Sequence, residues 1–138
     1  MLVRFVSTTK PEGIHPQDFA FTIGGQHVVL GVHFAIKSSL HGTGTWLHLL
    51  NDDGQLGWAP LSMFAIADAR VSQLWRVRRH DDGTVSLYPE LFHREFFHDD
   101  LSEGVPEVVQ AFAILRETLE REAFGPATTA APPDSEGL

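Results

Sequence analysis

The segment Trp46-Leu-His-Leu-Leu-Asn51-Asp-Asp-Gly54-Gln-Leu-Gly-Trp58-Ala-Pro60 carries the clearest structural signal in this chain. Two apolar runs flank a polar centre in which Asn and Asp tolerate left-handed backbone and Gly adopts it freely. Such a centre joins neighbouring antiparallel strands. The segment therefore predicts a hairpin with strands over 46–50 and 55–59.

Further strands are indicated on both sides of this hairpin. Short apolar or alternating runs separated by turn residues are typical of an antiparallel sheet. Gly24-Gly25 and His80-Asp-Asp-Gly83 supply two more turns, and Gly31 indicates a bulge or a close backbone approach. We expect an antiparallel, small-barrel-like sheet within 1–88, with strands over 2–6, 19–23, 27–36, 64–68, 74–78 and 84–88.

After Pro89 the spacing of apolar residues becomes helical. A short helix is expected from Pro89, and a longer one follows Pro106 and ends at Gly125-Pro126, since Gly and Pro stop helices. About 19 residues give a helix roughly 28 Å long. Its apolar stripe consists of Val105, Val108, Val109, Phe112, Leu115 and Leu119.

Length and pattern together indicate one α+β domain over 1–125, with strands over 1–88 and helices over 89–125. The segment 126–138 is rich in small residues and proline. Because such a composition buries little apolar surface, we expect a disordered tail there.

The net charge of −8 is unevenly distributed. Residues 1–80 carry seven basic and five acidic side chains, whereas residues 81–124 carry three basic and eleven acidic ones. Nucleic acid and anionic membranes would be repelled by the acidic part, which favours a basic protein partner instead. The carboxylates expected to bind this partner are Glu90, Glu95, Asp99, Asp100 and Glu103.

Several classes are disfavoured by what the sequence lacks. It has no cysteine, which excludes disulfides, Cys-type zinc sites and thiol catalysis. The beginning of the chain does not read as a signal peptide, and no apolar run approaches the roughly 18 residues of a membrane span. We expect a cytoplasmic protein without a cofactor.

The segment Gly54-Gln-Leu-Gly57-Trp58-Ala-Pro60 resembles the Gly-Gln-x-Gly-Tyr/Trp-x-Pro hairpin of Src-homology-3 domains, within a similarity over residues 26–68. The resemblance implies a small barrel whose shallow groove binds polyproline-type peptides. By this resemblance Trp46, Pro60 and Phe64 would line the groove, and Trp58 is a further candidate for partner binding. The same residues would equally serve as the core of a tight hairpin.

The histidine-rich segment 93–100 raises a metal-site hypothesis, with His93, His98 and Asp99 as candidate ligands. The two imidazoles are five residues apart, which places them about 140° apart on a helix. No HExxH motif, nucleophile motif or phosphate-binding glycine loop occurs. The sequence therefore does not predict an enzyme.

The function expected from the sequence is non-enzymatic binding of a basic protein. Bacterial immunity proteins, which cap the basic active sites of toxins, are similar to this chain in size and acidity. The first alternative is a peptide-binding barrel, and the second, less favoured one is a metal-dependent enzyme that uses residues 93–100. The sequence leaves the oligomeric state open.

Overall fold

The computed structural model describes residues 1–6, 20–35 and 44–125. Over these residues the protein is α+β, as the sequence predicts. The strands are β1 (Leu2–Phe5), β2 (Gln26–Val28), β3 (Gly31–Ala35), β4 (Gly44–Leu50), β5 (Leu56–Pro60), β6 (Phe64–Asp68), β7 (Trp75–Arg79) and β8 (Val85–Pro89). A short 3₁₀ helix, Leu61–Met63, connects β5 to β6.

The strands form two antiparallel sheets. One sheet has the order β2-β1-β6 and the other the order β5-β4-β3-β8-β7. The predicted hairpins are confirmed, since Trp46 of β4 pairs with Pro60 of β5 and Trp75 of β7 pairs with Pro89 of β8. The two sheets do not close into a barrel, so the architecture is an open two-sheet arrangement instead.

The predicted long strand over 27–36 is divided between the two sheets. Val29 N–H donates to the Met1 carbonyl, and Leu30 N–H donates to the His48 carbonyl. Between β2 and β3 the chain thus crosses from one sheet to the other. Val29 belongs to one hydrophobic cluster and Leu30 to the other. This explains why both the odd and the even positions of this segment are largely apolar.

The strand predicted over 19–23 is wrong for its described residues 20–23, which form no strand. Phe21 instead packs its ring against Phe5 and Phe64, with centroids 5.3 Å from each. Aromatic packing here takes the place of strand pairing. The turn that follows is confirmed, with Gly25 N–H donating to the Thr22 carbonyl and Gly24 at φ +87°.

The five-stranded sheet separates two hydrophobic clusters. Leu47 and Leu49 point toward the three-stranded sheet, where they pack with residues such as Val3, Phe5 and Met63. The opposite face is covered by helices, and its cluster contains Leu30, Tyr88, Phe92, Phe97, Val108 and Leu119. Alternation along each strand sends neighbouring side chains to different cores.

The helical part begins with a 3₁₀ helix, Glu90–His93, followed by α1 (Phe97–Ser102) and α2 (Pro106–Phe124). The predicted order of a short and then a long helix is confirmed. Arg70 donates to the carbonyls of Ala123 and Gly125 at the end of α2, which satisfies acceptors that the helix leaves free.

Among the described residues, no helix is long and apolar enough to cross a membrane. The predicted disordered tail over 126–138 lies outside the described residues.

Candidate functional site

The acidic residues predicted to bind a partner lie together on the segment 90–103, which we call the acidic segment. Glu90, Glu95, Asp99 and Glu103 are exposed and Asp100 is half-buried. Arg94, the only Lys or Arg between positions 90 and 103, lies 4.0 Å from a carboxylate oxygen of Asp100. The segment therefore presents a surplus of unpaired negative charge to solvent.

Phe96 lies in the middle of the acidic segment and points outward. Its side chain is 65% exposed, and its backbone is left-handed, with φ 62° and ψ 20°. A large residue without glycine's freedom adopts this conformation only at a cost. The next residue, Phe97, is 1% exposed and belongs to the helix-side core. The sharp turn at Phe96 is what allows Phe97 to enter that core.

The residues expected to line a peptide groove are mostly inside the protein. Trp46 is 5% and Phe64 is 8% exposed, and Pro60, which pairs with Trp46, is buried. The expectation that these three line an exposed groove is wrong, because strand pairing and core packing remove them from the surface. Trp58 is half-buried and packs against His48, with ring centroids 4.4 Å apart.

The metal-site hypothesis over 93–100 is not supported by the geometry. His93 packs beside Tyr88, with ring centroids 5.5 Å apart, whereas His98 is hydrogen-bonded to His48. Within the described part of the chain, no three His, Asp or Glu side chains are grouped so that they could hold a metal ion. His93, His98 and Asp99 therefore do not form a three-ligand centre.

An unexpected feature is the gathering of five histidines around Tyr88 on the helix-covered face of the five-stranded sheet. The Tyr88 ring centroid lies 5.5–6.5 Å from the centroids of His33, His48 and His93. The other two histidines contact these rings, since His80 packs beside His33 and His98 packs beside His48. We call this group the histidine cluster.

Ser86 holds one side of the histidine cluster together. Its Oγ lies 2.9 Å from His33 Nδ1 and 2.8 Å from His80 Nε2. Because a hydroxyl has one proton, it donates to one imidazole and accepts from the other. Ser86 is fully buried, so its hydroxyl is occupied and is not presented to a substrate as a nucleophile.

The pair of His48 and His98 forms the other side of the histidine cluster. His48 is fully buried; its Nδ1 lies 3.0 Å from the Gly57 carbonyl oxygen and its Nε2 lies 2.7 Å from His98 Nε2. Burial and the neighbouring His98 lower the pKa of His48 to about 3. His48 is therefore neutral over the whole physiological range.

Burial also disfavours charge elsewhere in the histidine cluster. It raises the pKa of the Tyr88 phenol and lowers the pKa of His93 and of His98. The Tyr88 hydroxyl and His93 Nε2 are buried without a hydrogen-bond partner in the described structure. In the histidine cluster, burial thus disfavours the charged forms of His48, His93, His98 and Tyr88.

Single-strand patterns do not reveal the histidine cluster. His33, Ser86, His48 and Tyr88 each alternate with apolar neighbours, which places them on one face of their strands. The missing information is that β3 lies between β4 and β8. A correct pairing of these three strands would have brought the residues together.

No family model, no curated protein and no solved structure matches the chain.

Proposed function

We propose that this protein binds a basic protein partner through the acidic segment, without catalysing a reaction. The observation that carries the proposal is Phe96, an exposed aromatic in strained backbone among exposed carboxylates. Aromatic side chains are common energetic anchors of protein interfaces, usually surrounded by a polar rim. Backbone strain of this kind is concentrated at functional positions.

The carboxylates and Phe96 would contribute in different ways. Exposed charges act mainly on the rate of encounter, which they raise when the partner carries the opposite charge. Phe96 would contribute affinity by entering an apolar pocket, or by packing beneath a guanidinium group of the partner. A basic toxin capped by an immunity protein is one partner with this chemistry.

The test compares two variants of equal charge. The site variant carries Glu95→Gln, Asp99→Asn and Glu103→Gln, and the control variant carries Asp81→Asn, Glu117→Gln and Glu120→Gln, which lie outside the acidic segment. Each immobilised protein is used to capture its partner from native lysate, and association rates are measured at about 50 and 300 mM salt. Phe96→Ala is measured in parallel.

The site variant should associate roughly tenfold more slowly at low salt and lose most of its salt dependence, and Phe96→Ala should dissociate faster. The control variant should behave almost like the unmodified protein. Equal effects of the two triple variants, or a captured partner without a basic surface, would refute the proposal.

A further inference from the structure

A cavity separates the β4–β5 hairpin from helices α1 and α2. Its volume is about 490 Å³, within the range of small-molecule sites. Leu50, Leu56, Leu101 and Phe112 form apolar walls, and the polar side chains that line it are Gln55, His98 and Ser102. An apolar cavity with few polar groups is typical of sites that bind small organic molecules.

The hydrogen-bond chain behind the cavity determines what His98 offers to a ligand. A carbonyl only accepts, so His48 Nδ1 carries the proton that is donated to Gly57 O. Neutral His48 then has a lone pair on Nε2, and His98 Nε2–H must be the donor across the 2.7 Å contact. In the Nε2–H tautomer of His98, the second ring nitrogen, Nδ1, is a lone-pair acceptor.

The surroundings of His98 decide between possible ligands. Asp99 and Asp100 are adjacent on α1, and their carboxylates would repel an anion. Neither carboxylate lines the cavity, so a cationic group would be desolvated by the four apolar walls without a buried counter-charge, which is costly. A neutral molecule with a hydroxyl or N–H donor satisfies both the walls and the His98 acceptor.

We infer that this cavity is a binding site for a neutral, mainly apolar small molecule that donates one hydrogen bond, from a hydroxyl or N–H group, to the His98 imidazole. Buried His48 accepts a hydrogen bond from His98 Nε2–H, which orients the His98 ring and fixes its tautomer. The site is separate from Phe96 and does not depend on the proposed partner.

Three probes of similar shape test the donor requirement. They are 2-naphthol, which has a hydroxyl donor, 2-methoxynaphthalene, in which the donor is methylated, and 2-naphthoate, which is an anion. Binding to the full chain is measured by calorimetry and located through amide chemical shifts. Long-range ¹H–¹⁵N spectra of the imidazoles report which nitrogen of His48 and His98 is protonated.

We expect 2-naphthol to change the amide chemical shifts of Leu101 and Phe112. It should bind at least tenfold more tightly than the other two probes. The free protein should show His48 protonated at Nδ1 and His98 at Nε2. Equal affinities of 2-naphthol and 2-methoxynaphthalene, shifts outside the cavity, or no binding at millimolar concentration would overturn the inference.

Variants separate the acceptor from the cavity walls. His98→Leu should abolish the preference for 2-naphthol over its methyl ether, and Leu101→Trp should reduce binding of both by filling the cavity. His93→Leu, on the 3₁₀ helix outside the cavity, is the matched control and should keep the preference. Thermal unfolding of each variant verifies the fold, and a folded His98→Leu that retained the preference would contradict the assignment.

Discussion

The ring of Tyr88 lies directly against the backbone of Gly31. A Cβ atom on residue 31 would clash with Cδ1 of Tyr88 and lie 2.8 Å from its Cε1. Gly31 has no positive φ, so the requirement for glycine comes from this close approach and not from backbone conformation. The contact holds Tyr88 at the centre of the histidine cluster.

Gly31→Ala should therefore destabilise the protein by about 1–3 kcal/mol, because the well-packed ring has to move. Gly57→Ala is the matched control, since a Cβ atom on Gly57 meets nothing within 4 Å, and its effect should stay within about 0.5 kcal/mol. Urea unfolding measures both. Equal losses in the two variants would show that the contact with Tyr88 is not tight.

Truncation to alanine should destabilise the protein far more at Phe97 than at the adjacent Phe96. Phe97→Ala removes a ring that is 1% exposed and should cost about 3–5 kcal/mol. Phe96→Ala removes a ring that is 65% exposed and should cost no more than about 0.5 kcal/mol. Phe96→Gly should raise stability by up to about 1 kcal/mol, since glycine adopts φ 62° without strain. Thermal and urea unfolding check the order, which fails if Phe96→Ala is as harmful as Phe97→Ala.

Stability should fall with acidification because His48 stays neutral in the folded protein. Its pKa is lowered from 6.5 to about 3 on folding, so between these values the unfolded chain binds a proton that the native state does not. The contribution of His48 to the free energy of unfolding is complete above about pH 6.5. It decreases toward pH 3 by about 1.4 kcal/mol per pH unit. The pKa values of His93 and His98 are lowered too, which adds in the same direction.

Urea unfolding between pH 3 and 8 measures this slope. His48→Gln should flatten it while lowering stability at neutral pH, because a buried hydrogen-bonded group is replaced. Val108→Ala, which is destabilised without loss of a titratable group, is the control and should retain the original slope. An unchanged slope in His48→Gln would mean that His48 is not the group responsible.

Much of the fold could be predicted because its signals are local. The turn 51–54 and the apolar runs beside it indicate the β4–β5 hairpin without any knowledge of the rest of the chain. The helical spacing after Pro106 and the stop at Gly125 predict α2. The strand over 27–36 shows the limit of local patterns, because its division between β2 and β3 depends on which sheet each half joins.

In the candidate sites too, features set by neighbouring residues could be predicted, whereas features set by packing could not. The sequence alone identifies the acidic segment, since its carboxylates are close in the chain, but it does not show that Phe96 is exposed while Phe97 is buried.

The β4–β5 and β7–β8 hairpins, the long helix and the uneven distribution of charge could be predicted from the sequence alone, because turn residues, periodicity and local charge depend on a few neighbouring residues. The tertiary structure was needed to show that Trp46 and Pro60 are buried and that Gly31 contacts the ring of Tyr88. The tertiary structure also brings His48 into contact with His98, a residue 50 positions away. These contacts follow from strand order and from the packing of α1 on the sheet, which are set by burying the most apolar surface of the whole chain together.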